Sequence, residues 1–243
     1  MLRGIYIAGS GMLAESVRQD IVANNLANAT TNGFKRTQAN SEPFKTFLLE
    51  NRGMPGQPKI GTTNMGVEIS RLDVIDTQGP LRNTGNPLDL ALVGKGWFEV
   101  NAPGGTRYTR DGSFTLDQTG TLVTKEGWSV IGENGPIRTT GTGTIGVAQD
   151  GTVNQDGAVI GRLRITALDP ATLAKEGSSL MKGTPTGAAP AVIRQSFLEG
   201  STVNVVSEMV ELIRVMRSFE ANQKAVMSHD DTLGQALTKV GVV

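Results

Sequence analysis

Apolar residues recur at helical spacing over both ends of the chain, and the middle reads as short alternating runs cut by glycine. Along the C-terminal stretch, Val205, Met209, Leu212, Met216, Phe219, Gln223, Val226, Asp230, Leu233, Leu237 and Val240 follow in steps of four and three, and nine of these eleven are apolar. Such alternation is the a/d seam of a coiled coil, which leaves water only against another helix. A helix over 203–240 would be roughly 55 Å long at about 1.5 Å per residue, more than a small domain needs. Near the start, Leu2, Ile5, Met12, Ala23 and Leu26 share a stripe widened by Leu13, Val17, Ile21 and Val22, which predicts a helix from residue 2 to about 30. Gly9 and Gly11 either weaken it by up to ~1 kcal/mol each relative to alanine or let a neighbouring helix come close. The polar run Asn24, Asn25, Leu26, Ala27, Asn28 through Gly33 ends it. Gly33 supplies the left-handed closing conformation, and the asparagines satisfy loose carbonyls or cross-helix partners.

Periodicity then fails. Over residues 35–66, Pro43, Pro55 and Pro58 alternate with Gly53, Gly56 and Gly61, which predicts an extended connector with a short helical turn at Phe44 to Leu49. From 67 to 169 the signals are strands: Val67–Ile69, Leu88–Val93, Trp97–Val100, Arg107–Arg110, Ser113–Leu116, Thr121–Thr124, Trp128–Ile131 and Arg162–Leu168. Asp111-Gly112, Asn134-Gly135, Asp150-Gly151 and Asp156-Gly157 mark turns between them. Strands at this spacing without intervening helices imply an antiparallel all-β module. Residues 170–202 read as a second connector and 203–243 as the C-terminal helix, paired with the helix of residues 1–34. The expected class is α+β, with terminal helices pairing as a coiled-coil-like bundle around a central antiparallel all-β domain.

Composition narrows the function. Lys+Arg and Asp+Glu each total 23, so no net field favours nucleic acid or an anionic membrane. No run approaches the ~18 apolar residues of a membrane span. Glycine reaches 31 residues while aromatics make up only 5%, a balance suited to turns and a thin core. The absence of cysteine excludes disulfides, thiolate catalysis and cysteine metal sites. Met1-Leu2-Arg3 before Ile5-Tyr6-Ile7-Ala8 resembles a signal peptide, but Gly9-Ser10-Gly11 cuts the run short and no cleavage site follows. Export, if it occurs, is expected by another route.

Candidate chemistry dissolves on inspection. Gly141-Thr142-Gly143-Thr144-Ile145-Gly146 has the letters of a dinucleotide fingerprint, but Val147-Ala148-Gln149-Asp150-Gly151 predicts a strand and turn where that motif needs a helix. Asp150, Asn154 and Asp156 fall short of calcium-loop spacing and suit two Asp-Gly turns. The single histidine, His229, cannot build a histidine zinc site or serve a nucleophile elbow that is not present, and is expected to be solvated or paired across helices. The expectation is no catalytic, metal or cofactor site. A β-rich binding module on a helical oligomerisation stalk fits these facts as well; a hydrolase fits them poorly.

Three stretches carry a resemblance. Asn24-Asn25-Leu26-Ala27-Asn28-Ala29-Thr30-Thr31-Asn32-Gly33-Phe34-Lys35 is similar to the N-terminal motif of bacterial flagellar rod and hook proteins. Gly85 to Phe98, leading into Tyr108-Thr109-Arg110-Asp111-Gly112-Ser113-Phe114, resembles their central motif. Leu198-Glu199-Gly200-Ser201-Thr202-Val203-Asn204 through Arg217-Ser218-Phe219-Glu220 resembles their C-terminal motif, except that Thr202 stands where the family usually has asparagine, weakening one helix-start contact. Within the family, the length and the Arg-Ser-Phe-Glu ending look closer to proximal than to distal rod members. The resemblance implies a structural subunit of the basal-body rod, with both terminal helices in the inner wall of a hollow tube and the β module outside. It further implies partnership with itself and other rod proteins, and passage through the flagellar type III export machinery to the periplasmic rod. The interface residues so implied are Leu2, Ile5, Met12, Asn24, Asn25, Leu26, Asn28, Val205, Met209, Leu212, Met216, Phe219, Val226, Leu233 and Leu237.

Overall fold

A helix, α1, spans Leu2–Ala27, and a second, α2, spans Val205–Val240. The computed structural model describes residues 2–43, 46–49, 61–140 and 143–240. The fold is α+β, and the chain divides into two compact units. The first holds Met1–Leu26, Thr37–Asp73 and Val205–Val243; the second holds Ala27–Arg36 and Val74–Asn204.

In the first unit, Thr37–Pro43 pairs with Val67–Val74, and Thr46–Leu49 pairs antiparallel with Gly61–Asn64. Thr46–Leu49 is therefore a strand where local sequence predicts a helical turn; Phe44 lies outside the described residues. Leu49 faces Gly61 and Thr46 faces Asn64, so backbone pairing across the hairpin overrides the weak local preference. Val67–Ile69, read as the first strand of the β module, belongs to this ribbon instead.

The second unit is built on a ten-stranded sheet whose pairings are antiparallel. Its central strand, Trp97–Ala102, pairs with Gly105–Thr109, Ser129–Gly132 and Ile165–Leu168. Alternation sorts its side chains. Phe98, Val100 and Ala102 join the main core with Leu90, Leu92, Phe114, Val130, Val153 and Ile193. Trp97, one position out of phase, packs with Tyr108, Leu168, Leu173 and Met181. Phe98 and Phe114 meet edge to face, centroids 5.2 Å apart, an arrangement that suits the ring quadrupoles. A three-stranded meander, Ile145–Val147, Thr152–Gln155 and Ala158–Arg162, flanks the core. Its Asp156-Gly157 turn has φ of 51° and 86°, the two positive angles of a type I′ hairpin. Ile145–Val147 is a strand, and among the described residues of the fingerprint-like letters, 143–146, no helix opens.

Three expectations need correction. The run Arg162–Leu168 is divided: Ala158–Arg162 belongs to the meander and Ile165–Leu168 to the large sheet. Residues 170–202, which lack local periodicity, carry a short 3₁₀ turn and five strands, four of which pair outside the segment, such as Val192–Gln195 on Leu90–Val93 and Phe197–Glu199 on Leu81–Asn83. Gly33 does take φ 66°, but α1 ends six residues earlier, at Ala27. A side chain at Gly33 would overlap the backbone of Arg110 and Asp111, so glycine here permits close approach of two strands of chain.

Gly112 is a sharper case of the same demand, since an added methyl would overlap the Leu90 carbonyl oxygen. Gly112→Ala is expected to destabilise the second unit by about 2–3 kcal/mol through overpacking. Both tryptophans, Trp97 and Trp128, lie in that unit, so urea unfolding followed by tryptophan fluorescence reads the loss directly.

Candidate assembly interface

The two helices meet through small and polar groups in antiparallel register. A side chain at Gly4 would overlap the His229 ring, and one at Gly11 would sit 2.9 Å from Asn222 Nδ2. Ser218 Oγ donates to Glu15 Oε1 at 3.3 Å, and Asn25 Nδ2 to Glu208 Oε2 at 3.1 Å. Positions 4, 11, 15 and 25 thus face 229, 222, 218 and 208. Each step along α1 is matched by an equal step back along α2, with no slip in register. Gly11 is a contact residue, whereas Gly9 faces open space. His229 is packed across the helix pair.

The end of this contact is fixed by a buried amide. Asn25 Oδ1 accepts from Thr37 N at 3.0 Å, and its Nδ2 donates to Thr37 O at 2.9 Å as well as to Glu208. Asn25 and Glu208 are each 1% exposed. Glu208 lies in the first turn of α2, where the helix dipole favours a carboxylate.

The contact stripe on α2, Glu208–Val215–Asn222–His229, runs one position ahead of Met209–Met216–Gln223–Asp230, a rotation of about 100°. The apolar seam therefore points only partly toward α1. Leu212, Phe219, Val226 and Leu233 are half-buried, while Val205, Met209 and Met216 are exposed, Met216 by 46%. On α1, Asn25 is buried, Ile5, Met12, Leu26 and Asn28 are half-buried and Asn24 is exposed. The side chains of Leu2 and Leu237 lie outside the described ones. Val206, Val210 and Ile213 add to the exposed apolar surface of α2, and Tyr6, Ile7 and Leu13 to that of α1.

The second unit contains a buried ionic cluster that sequence periodicity does not announce. Glu199 Oε1 lies 2.8 Å from Lys35 Nζ, and Glu199 Oε2 lies 3.1 Å from Arg110 Nη1. All three side chains are essentially inaccessible. Gly79 N donates to Glu199 Oε1 at 2.8 Å, Arg110 Nη2 to Gly94 O at 2.7 Å, and Lys35 Nζ to Thr77 O. The Trp97 ring lies near both cations, 5.9 Å from Lys35 Nζ and 5.5 Å from Arg110 Cζ. Asp76, 3.8 Å from Lys35, adds a second carboxylate. Burial lowers the Lys35 ammonium's pKa, against the upward pull of Glu199. Lys35, Trp97, Arg110 and Glu199 come from the three motif stretches quoted above. Their spacing, up to 164 residues apart, gives no local signal; the only hint is a charged residue inside each otherwise turn-like motif.

The chain beside this cluster is stitched. Gly33 N donates to Glu199 O at 2.8 Å, and Thr202 N to Phe34 O at 3.1 Å. Thr202 Oγ1 accepts from Arg36 N at 2.9 Å, so its hydroxyl ties the segment after α1 to the one before α2. Lys175 Nζ stands 3.1 Å from the Phe34 ring centroid and 3.4 Å from Lys35 O. Burial lowers its pKa to about 8. Among the described residues, no group of three or more histidine or carboxylate side chains is placed to hold a metal ion, and no helix is long and apolar enough to cross a membrane.

Comparison with known proteins places these features in a family. Residues 5–35 match the model of flagella basal body rod proteins, 91–160 the D1 domain of flagellar hook protein FlgE/F/G, and 194–239 the C-terminal region of flagellar basal body rod FlgEFG proteins. The flagellar basal-body rod protein FlgG of Agrobacterium fabrum is 34% identical over 260 residues, covering 95% of this chain and 96% of its own. The rod protein FlgF of Caulobacter vibrioides is 35% identical over 257 residues and all of both chains; FlgG of Bacillus subtilis is 33% identical, covering 96% and 97%. The chain belongs to the flagellar basal-body rod protein family.

Two outcomes test the cluster. Glu199→Gln leaves Lys35 and Arg110 with less counter-charge in the interior and is expected to cost on the order of 3–5 kcal/mol, read by tryptophan-monitored denaturation. Lys175 loses its proton in the folded chain near pH 8 but in the unfolded chain only near 10.5, so the unfolded state binds more protons between these values. Stability should rise with pH across that window, with the lowered pKa of Lys35 acting in the same direction and Tyr108, whose pKa burial raises, opposing the rise above about pH 10. Lys175→Met should flatten the rise in a pH series of melting curves.

Proposed function

We propose that this chain is a structural subunit of the flagellar basal-body rod, polymerising through its terminal helices into the hollow axial shaft that crosses the periplasm. The observation that carries this reading is the apolar surface left open on α2, with Val206 71% and Ile213 52% exposed. Contiguous apolar surface of this kind marks an interaction site. The α1–α2 contact takes its register from glycine, amide, hydroxyl and carboxylate groups, and although Ala8, Ala14, Val22 and Val215 are buried on the two helices, the apolar seam of α2 stays partly or fully exposed. Neighbouring subunits supply the missing burial, and in the filament the helices complete a coiled-coil-like bundle.

Family membership supports partnership with other rod proteins. The remaining parts of the proposal are a subunit without catalytic activity, export through the flagellar type III machinery without a cleaved signal peptide, and a place toward the proximal rod. The 243-residue length supports that last point, because distal-rod relatives tend to be longer after the first helix. A β module on a closed oligomerisation stalk remains the competing reading, and a discrete oligomer of fixed size would favour it.

Met216→Asp is the test. Met216 is already 46% exposed, so the isolated subunit should keep its circular dichroism and tryptophan fluorescence, while a charge with no partner would be buried only on assembly. The variant should be missing from purified basal bodies and its cells non-motile; normal incorporation would defeat the reading.

A further inference from the structure

We infer that the outer ridge of α2, formed by Val206, Val210, Ile213 and Arg217, docks into the groove between α1 and strand Val67–Val74 of a second copy of this chain. The inference rests on the assembly reading above and names the surfaces that meet. Ridge residues follow in steps of four, three and four, and so share one face of the helix. Val206 and Ile213 each stand two residues, about 200°, from Glu208 and Val215, so the ridge points away from α1. The groove is lined by Leu13 and Val17 on α1 and by Val67, Glu68 and Ile69 on the strand. Leu13 is 70% exposed at its rim. Val67 N donates to Ser10 Oγ at 3.2 Å, which holds the strand against the helix and keeps the groove formed without an occupant.

Two arguments select a second copy as the occupant. Charge is complementary: the apolar ridge ends in the exposed cation Arg217, and the apolar groove carries the exposed carboxylate Glu68 at its lip. Ridge and groove are also different surfaces of one body, so a contact between them is heterologous. Such contacts do not close on themselves as a two-fold dimer does; they add subunits in a ring or along an open helix, as a shaft requires.

The chain has no cysteine, which permits a direct test. Leu13→Cys and Ile213→Cys are prepared as separate full-length proteins, mixed, concentrated to drive self-association and mildly oxidised. The inference expects a disulfide-linked heterodimer from this pair, and none when Val159→Cys, exposed on the second unit, replaces either member. Normal self-association without the Leu13–Ile213 link overturns it. So does attachment of Ile213→Cys, carrying a thiol-coupled photo-cross-linker in basal bodies, to a different rod protein alone, which would name another occupant. Should the cysteine variants fail to associate, charge exchange decides. Glu68→Arg and Arg217→Glu should each weaken self-association by about tenfold or more, and the double variant should restore it; no restoration overturns the inference. Absence of the wild-type chain from basal bodies would defeat the proposed function while leaving these self-association measurements readable.

Discussion

A buried carboxylate, Glu199, is the constraint on which the second unit depends. Its two oxygens satisfy Lys35, Arg110 and the Gly79 amide, while its own backbone carbonyl accepts from Gly33. Stretches of chain far apart in sequence are thereby held at one point, with Trp97 lying near both cations. Charges are expensive to bury, and a cluster of this kind is stable only as a whole. It specifies one arrangement of the segments that lead out of α1 and into α2, because no partial arrangement leaves the charges paired. The stitching of Thr202 to Phe34 and Arg36 extends the same arrangement by three residues of chain.

Helix chemistry in the first unit divides labour between two faces. Toward each other, the helices present glycine, amide and carboxylate groups whose geometry sets a register, with the buried Val215 on the same stripe of α2. Away from each other, α2 presents valine, methionine and isoleucine, whose burial carries the larger free energy but little directional information. On the proposed assembly reading, specificity inside the subunit and affinity between subunits fall on different stripes of one helix. A subunit built this way can adopt its internal register before it meets a neighbour.

Much of the fold was legible and the reason is periodicity. The seam through Val205 to Val240 and the stripe through Leu26 identified both helices, and Asp150-Gly151 and Asp156-Gly157 located real turns, since these signals act over a few residues, whereas Asp111-Gly112 is not a turn. What escaped were features made by long-range pairing. Thr46–Leu49 became a strand through its partner across the hairpin, and the segment beyond Asp169 gained strands from partners near Leu81 and Leu90. Gly33 was correctly given a positive φ but for the wrong duty: its bare Cα makes room for Arg110 and Asp111. The Lys35–Arg110–Glu199 cluster lay within motifs that resemble the family, yet nothing in local spacing says that three charges separated by most of the chain will touch. The contact stripe on α2 was offset from the apolar one because glutamate, asparagine and histidine carry no weight in a hydrophobic pattern.

Among the described residues, the buried hydrogen bonds of the antiparallel helix contact lie at one end. Near Asn25 and Glu208 it has an amide that bonds three ways in a dry setting, whereas toward Gly4 and His229 it thins to an imidazole resting on bare backbone. A zipper fastened at its base opens from the tip. The free extremity of the pair is therefore the region that can exchange neighbours or readmit water while the base keeps its alignment. On the proposed assembly reading, an incoming molecule would be tried at the loose end of the pair before it is committed.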